Sequence, residues 1–251
     1  MGFDPAITGH KGTSMKKLKN KVAVITGGGR GIGRSVALAF AEAGANLVLA
    51  ARTQAEIEGV CEEVKSIGAR CVAVPVDVTV KSQVEALIGK TTELFGHIDI
   101  LVNNAGIAIH NPIDKIREED WDLTMDVNLK GVFLCTQAVF KMMCDRGTGY
   151  ILNISSVSGK MGHRNGGAYC ASKFAVNGFT ETIAAEGRDY GVKAAVVCPG
   201  PVDTRMRREN HPDDDLEKLT QPEEIADLVL FLVTQSPTAH VLETVIRTPL
   251  M

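Results

Sequence analysis

From position 21 onward, short apolar runs rich in Val, Ile, Leu and Ala alternate with segments in which apolar residues recur at helical spacing. The runs occupy 21–26, 45–50, 70–74, 98–102, 149–154, 192–198 and 241–246. Their apolarity is nearly unbroken, with no polar residue at every second position, which is the pattern of strands buried on both faces. Helices are predicted between them at 31–43, 53–67, 81–95, 122–146, 169–190 and 222–235. The last opens with Pro222, Glu223 and Glu224, a first-turn proline followed by acids facing the positive end of the helix dipole. Strand and helix in alternation predict an α/β fold, a doubly wound, seven-stranded parallel sheet with right-handed crossovers and helices on both faces. Residues 1–14 show no periodicity and are set apart as an extension or tag, leaving 15–251 as one expected domain.

Composition narrows the function classes. The chain has 251 residues, 45% of them hydrophobic and 23% charged, which suits one sizeable core. Its net charge of −3 is scattered, so there is no electrostatic footprint for nucleic acid or an anionic membrane. No apolar run nears the roughly 18 residues of a membrane span, and the first twenty residues lack the apolar centre of a signal peptide. The six cysteines show no close pairing and the six histidines no metal-ligand spacing. Reduced thiols, a cytoplasmic location and no metal are the resulting expectations. Glycine is the unusual entry. Of 25 glycines, five fall within 27–33, and the remainder of the chain is close to ordinary usage.

That cluster reads Thr26-Gly27-Gly28-Gly29-Arg30-Gly31-Ile32-Gly33, between the first predicted strand and the first helix. Such a turn lets backbone N–H groups and the positive helix end meet a pyrophosphate, where a Cβ would block the approach. The spacing departs from Gly-x-Gly-x-x-Gly, because residue 34 is Arg. At the end of the second strand, where an acid commonly takes a ribose 2′-hydroxyl, the chain has Ala50-Ala51-Arg52. A guanidinium suits a 2′-phosphate by charge and by its donor fork, and Arg30 lies in the same turn. NADP(H) is therefore expected over NAD(H). The alternative makes Arg52 a solvated cation and gives the ribose to Glu56.

Tyr169 and Lys173 are four residues apart on a predicted helix, which puts phenol and ammonium on one face. A nearby cation favours the phenolate and brings tyrosine toward useful acid/base chemistry. Ser155 and Ser156 end the fifth strand, the edge at which open parallel sheets bind ligands. With these in view the chain resembles the short-chain dehydrogenases/reductases over 16–233. Thr26-Gly27-x-x-x-Gly31-x-Gly33 resembles their cofactor turn, with Ile32 inside it, and Asp77, followed by Val78, resembles their adenine-contacting acid. Asn103-Asn104-Ala105-Gly106 resembles the segment that steadies the sheet and lines the cofactor, and Pro199, Gly200, Val202 and Thr204 the loop around nicotinamide. Asn128, Ser156, Tyr169 and Lys173 match the family's catalytic tetrad, Ser156 standing thirteen residues before Tyr169.

The resemblance implies a Rossmann fold and hydride transfer between nicotinamide and a carbonyl or secondary alcohol. It implies that Tyr169 exchanges the proton and Ser156 polarises the oxygen. Lys173 is implied to lower the tyrosine pKa and hold the nicotinamide ribose, and Asn128 to tie Lys173 to a water chain. The segment 156–167 is most similar to 3-oxoacyl-[acyl-carrier-protein] reductases, a loose likeness that leaves sugar, steroid or secondary-metabolite substrates open. Arg205, Arg207 and Arg208 either meet an acidic carrier or are offset by Asp213, Asp214 and Asp215 in a solvated lid. The 201–221 segment is shorter than the family's usual lid, which predicts a more open cleft. Family members often assemble through the helices at 122–146 and 169–190 and a C-terminal strand, so a homodimer or homotetramer is expected. Here that strand lacks the family's Asp-Gly-Gly ending. A non-catalytic cofactor-binding scaffold is the alternative of another class, opposed by the complete tetrad. An epimerase or dehydratase is disfavoured because 251 residues leave no room for a second substrate domain.

Overall fold

The computed structural model describes residues 16–248. Seven parallel strands form one sheet in the order β3-β2-β1-β4-β5-β6-β7: β1 Val22–Thr26, β2 Asn46–Ala51, β3 Cys71–Pro75, β4 Ile100–Asn103, β5 Gly149–Ile154, β6 Val192–Pro199 and β7 Glu243–Ile246. Chain order reverses between β1 and β4, which opens a crevice at the carboxyl ends of those strands. Helices are α1 Gly31–Glu42, α2 Gln54–Ser66, α3 Lys81–Phe95, α4 Glu118–Met125, α5 Gly131–Arg146, α6 Gly167–Gly187, α7 Arg205–Asn210 and α8 Pro222–Val233.

The two-residue period of a strand sends successive side chains to opposite faces. Ala23, Ile25, Leu47 and Leu49 enter one core with Phe40 of α1, Ile57 of α2 and Ile225 of α8. Val24, Val48 and Ala50 enter the other with Leu87 of α3, Val139 of α5 and Ile183 of α6. Both faces are thus covered, and the strands read as unbroken apolar runs for that reason. At the head of α8 the Glu224 carboxylate accepts from the Gln221 N–H at 2.7 Å, closing a capping box behind Pro222.

Three expectations change. The helix expected over 122–146 is α4 and α5 joined through a π-helical turn, Asp126–Lys130, and a short helix, α7, stands in the segment read as lid. Cys61 and Cys71 are not free thiols: they form a disulfide, with Cα atoms 5.2 Å apart. The chain reverses at Gly68 (φ 90°), so the buried side of α2 returns alongside the start of β3. Ten residues of separation conceal a contact made by packing. The extension call on 1–14, and the chain end at 249–251, lie outside the described residues.

Candidate active site

Everything at the glycine turn follows from how closely α1 approaches β1. Gly27 and Gly31 have φ of +63° and +51°, the left-handed region that favours glycine. A Cβ on Gly33 would stand 2.2 Å from the Gly27 carbonyl oxygen, so α1 can leave the strand this steeply only without one. Asn104 stitches the turn to β4: its Nδ2 donates to the carbonyls of Thr26 and Gly27 at 3.1 and 3.0 Å. The backbone N–H groups of Asn104 and Ala105 in turn donate to Thr26 Oγ1. At its head α1 has no side-chain cap from Arg30 and no acid in its first turn. Its leading N–H groups and positive end are left to the crevice, the provision a pyrophosphate requires.

The crevice continues from Gly31 and Ile32 along Ala51 and Arg52 to Asp77 and Val78, then past Asn104, Ala105 and Gly106 to Lys173 and Tyr169, with Thr204 opposite. At the far end Arg30 pairs with Glu56 at 3.4 Å, while Arg52 is exposed. Asp77 is partly buried, which raises its pKa, but Thr79 donates to it twice and the Arg52 charge acts on it. The net result holds the carboxyl below its ordinary value. A dinucleotide fits this cradle: uncapped N–H groups stand in the middle, guanidinium charge at one end, and Gly106 lies beside Asn128 and Lys173 at the other.

At that other end Ser156 follows β5 with extended backbone, and its Oγ accepts from the Ser158 N–H at 3.1 Å, fixing the hydroxyl at the sheet edge. Ser156 and the Tyr169 phenol line the same chamber. One helical turn beyond Tyr169, the Lys173 ammonium lies 5.7 Å from the phenol ring centre and donates to the Ile154 carbonyl at 3.0 Å. Burial pushes Lys173 down to about 8. Burial also pushes the Tyr169 phenol above its ordinary value, against the neighbouring Ser156 hydroxyl and the Arg207 charge, both of which lower it. The sequence expectation of a tyrosine lowered by Lys173 is therefore not the state of this site, because both groups are desolvated together.

Asn128 sits buried in the π-helical turn. Its Oδ1 accepts from the Ile107 N–H at 2.8 Å, and its Nδ2 donates to the Ile107 carbonyl at 2.9 Å and to Ser172 Oγ at 3.1 Å. It clamps the peptide after Gly106, and it meets Lys173 across that glycine.

A second cavity, of about 320 Å³, opens on the other side of Tyr169. Ser156, Pro199, Gly200 and Val202 line this second space, whereas Ile32, Thr204 and Tyr169 border both. The phenol is thus a wall common to a dinucleotide-shaped crevice and a separate chamber.

The model of the short chain dehydrogenase family matches residues 21–215. This chain is a short-chain dehydrogenase/reductase. A 3-oxoacyl-[acyl-carrier-protein] reductase of a Synechocystis strain is 38% identical over 233 residues, covering 90% of this chain and 94% of that protein. A short-chain type dehydrogenase/reductase from Mycobacterium marinum superposes with a TM-score of 0.89 at 32% identity, covering 94% and 97% of the two chains. A metagenomic short-chain oxidoreductase in complex with NADP superposes at 0.83 and 31%, covering 94% and 100%. This short-chain dehydrogenase/reductase is accordingly an oxidoreductase whose fold binds a nicotinamide cofactor.

In this short-chain dehydrogenase/reductase the arginines of 205–208 are offset, though mostly by other acids than expected. Arg205 pairs with Glu209, Arg208 with Asp203, and Arg207 with Asp214. Despite its shortness the lid segment reaches the chamber, where Met206, Arg207, Asn210 and His211 join its lining. His110 meets both His163 and His211 there, three residues from three separate loops. Nothing in linear spacing announces that meeting. Each of the three histidines lies in a stretch expected to frame the nicotinamide: 107–111, 157–168 or the segment after Pro201.

Proposed function

We propose that this protein transfers hydride between NADP(H) and a small carbonyl or secondary-alcohol substrate, with Tyr169 as general acid and base. The observation that carries this reading is the phenol standing between the crevice and the chamber, on the chamber wall with Ser156 and one helical turn from Lys173. When bound, the nicotinamide supplies or accepts the hydride. A carbonyl oxygen placed in the chamber next to Ser156 and Tyr169 receives two O–H donors, which stabilise the charge that develops on it. Tyr169 then gives its proton, and the Lys173 ammonium behind it stabilises the phenolate left behind. Asn128 holds the Ile107 peptide in place, keeping the floor at Gly106 open. In the oxidising direction the same groups run in reverse.

The test is consumption of NADPH, followed by absorbance, across ketones, aldehydes and 3-oxoacyl thioesters. Turnover of at least one class is expected. Tight cofactor binding with no turnover of any carbonyl would move the protein to the scaffold class. The preference for NADP(H) rests on Arg52 and Arg30 at the ribose end, where of the two acids Glu56 is paired with Arg30 and Asp77 accepts from Thr79. Arg52→Asp is expected to raise KM for NADPH at least tenfold, a loss of about 1.4 kcal/mol, and to raise it less for NADH. An unchanged preference refutes the assignment. We assign the enzyme to act as a homodimer or homotetramer without nucleic-acid or membrane partners. Exposed Phe133 on α5 and Phe174 on α6 support self-association through those helices.

A further inference from the structure

Resting on that reading of the site, we propose that the chamber beyond Tyr169 takes an oxo acid or the corresponding hydroxy acid. Its carboxylate is held by His110, His163 and His211, with Arg207 behind them. The imidazole of His110 is the hub. Its ring centre lies 5.6 Å from His163, 5.8 Å from His211 and 5.7 Å from the Tyr169 ring. A group bound among the histidines is therefore only a few bonds from a carbonyl at the phenol. This geometry suits a short chain carrying its acid close to the reacting carbon.

The His163 ring is held at both of its nitrogens. His163 Nδ1 lies 3.0 Å from the Arg164 carbonyl, and a carbonyl only accepts, so Nδ1 carries the proton. In the neutral ring Nε2 then accepts from Ser158 Oγ at 3.1 Å. The Asn165 carbonyl stands near His110 and favours its protonated form. Asn165 itself adopts φ 63°, and its carbonyl also accepts from the Asn111 N–H, so the loop that carries His163 is pinned to the one that carries His110. Gly166 is shaped to the arrangement: a Cβ there would stand 2.4 Å from the His163 ring. The third ring comes from the lid. This is a built cluster, and among the described residues no group of three or more His, Cys, Asp or Glu side chains is disposed to hold a metal ion.

The charge around the cluster leaves a place for an anion. Facing it are Tyr169, Arg207 and Asp214, and Asp214 is already paired with Arg207. Burial, mutual repulsion among the rings and the Arg207 charge keep His110 below its ordinary pKa. Burial and Arg207 do the same to His211, against Asp214, which raises it. A carboxylate among them removes the repulsion and favours their protonated, doubly donating forms. Binding should therefore take up protons and weaken as pH rises.

The test sets pyruvate, acetoacetate and levulinate, a 2-, a 3- and a 4-oxo acid, against their ethyl esters in the holoenzyme. For at least one pair, kcat/KM for the acid is expected to exceed that for the ester at least tenfold at pH 6. The ratio should shrink toward pH 8, and taking the ratio cancels the pH dependence of Tyr169 itself. His211→Gln and His163→Gln should each reduce the ratio at least fivefold, with cofactor affinity confirming that the variant is folded. Should a variant not fold, histidine-ring NMR of the wild-type complex with NADP⁺ gives the same answer: acetoacetate should raise the pKa of His110. Equal or better turnover of the esters, or a His110 pKa unmoved by acetoacetate, overturns the proposal while leaving the oxidoreductase reading intact. Cofactor binding without turnover of any carbonyl in the wider panel overturns both.

Discussion

Tyr169→Phe should lower turnover at least about 10²-fold, the low end of what a positioned general acid contributes, while leaving NADPH binding near wild type. The substitution removes one oxygen and little volume. It leaves the ring against His110, beneath Lys173 and on the boundary between crevice and chamber. Ser156 keeps its bond from the Ser158 N–H, so the remaining donor stays in position. What disappears is the proton that the carbonyl oxygen takes as hydride arrives. Fluorescence titration with NADPH beside steady-state turnover separates the two effects, because a damaged fold would weaken binding and turnover together. Residual activity within a few-fold of wild type would remove Tyr169 from the acid/base role.

Gly33→Ala should cost about 1–3 kcal/mol of stability and weaken dinucleotide binding at least tenfold. Inside an exposed helix, alanine in place of glycine is favourable by about 1 kcal/mol, so the expected sign is opposite to the propensity. Contact decides it. The new methyl would sit 2.2 Å from the Gly27 carbonyl oxygen and 2.6 Å from Asn104 Nδ2, and a backbone carbonyl at the end of a central strand has nowhere to retreat. Either α1 tilts outward or the Asn104 bonds to the turn break. Each displaces the uncapped N–H groups that face the crevice. Gly89→Ala on α3 is the matched control, since nothing lies within 4 Å of a Cβ there. It should leave the melting temperature unchanged or raise it by a few degrees. A Gly33→Ala protein with wild-type melting temperature and cofactor affinity would refute the account of the turn.

The sheet was legible because strands covered on both faces need apolar residues at every position, and Val24 and Ile25 illustrate how neighbours serve opposite cores. The cofactor turn and the Ser156, Tyr169 and Lys173 trio were legible for another reason: backbone clearance and fixed helical spacing leave marks at short range. What the sequence hid was made by packing between distant segments. Cys61 meets Cys71 only because α2 folds back on β3, and His110, His163 and His211 converge only once three loops are placed around one chamber. The direction of the Tyr169 shift was also out of reach, since it depends on how deeply phenol and ammonium are buried together. The glycines of 159–167 looked alike in the sequence and differ in the fold. Gly159 clears the Lys173 carbonyl, Gly166 the His163 ring and Gly167 Ile116, while Gly162 faces open space.

The π-helical turn at Asp126–Lys130 gives Asn128 a dependence on chain length as well as on residue type. Successive residues of an α-helix are rotated by about 100° around its axis, so removing one residue between α4 and α5 would put every position before the cut out of phase with α5. The asparagine would keep its chemistry and lose its aim at Ile107. Substitutions across that turn can be judged one side chain at a time, but its residue count cannot be altered without re-aiming the helix that carries the site.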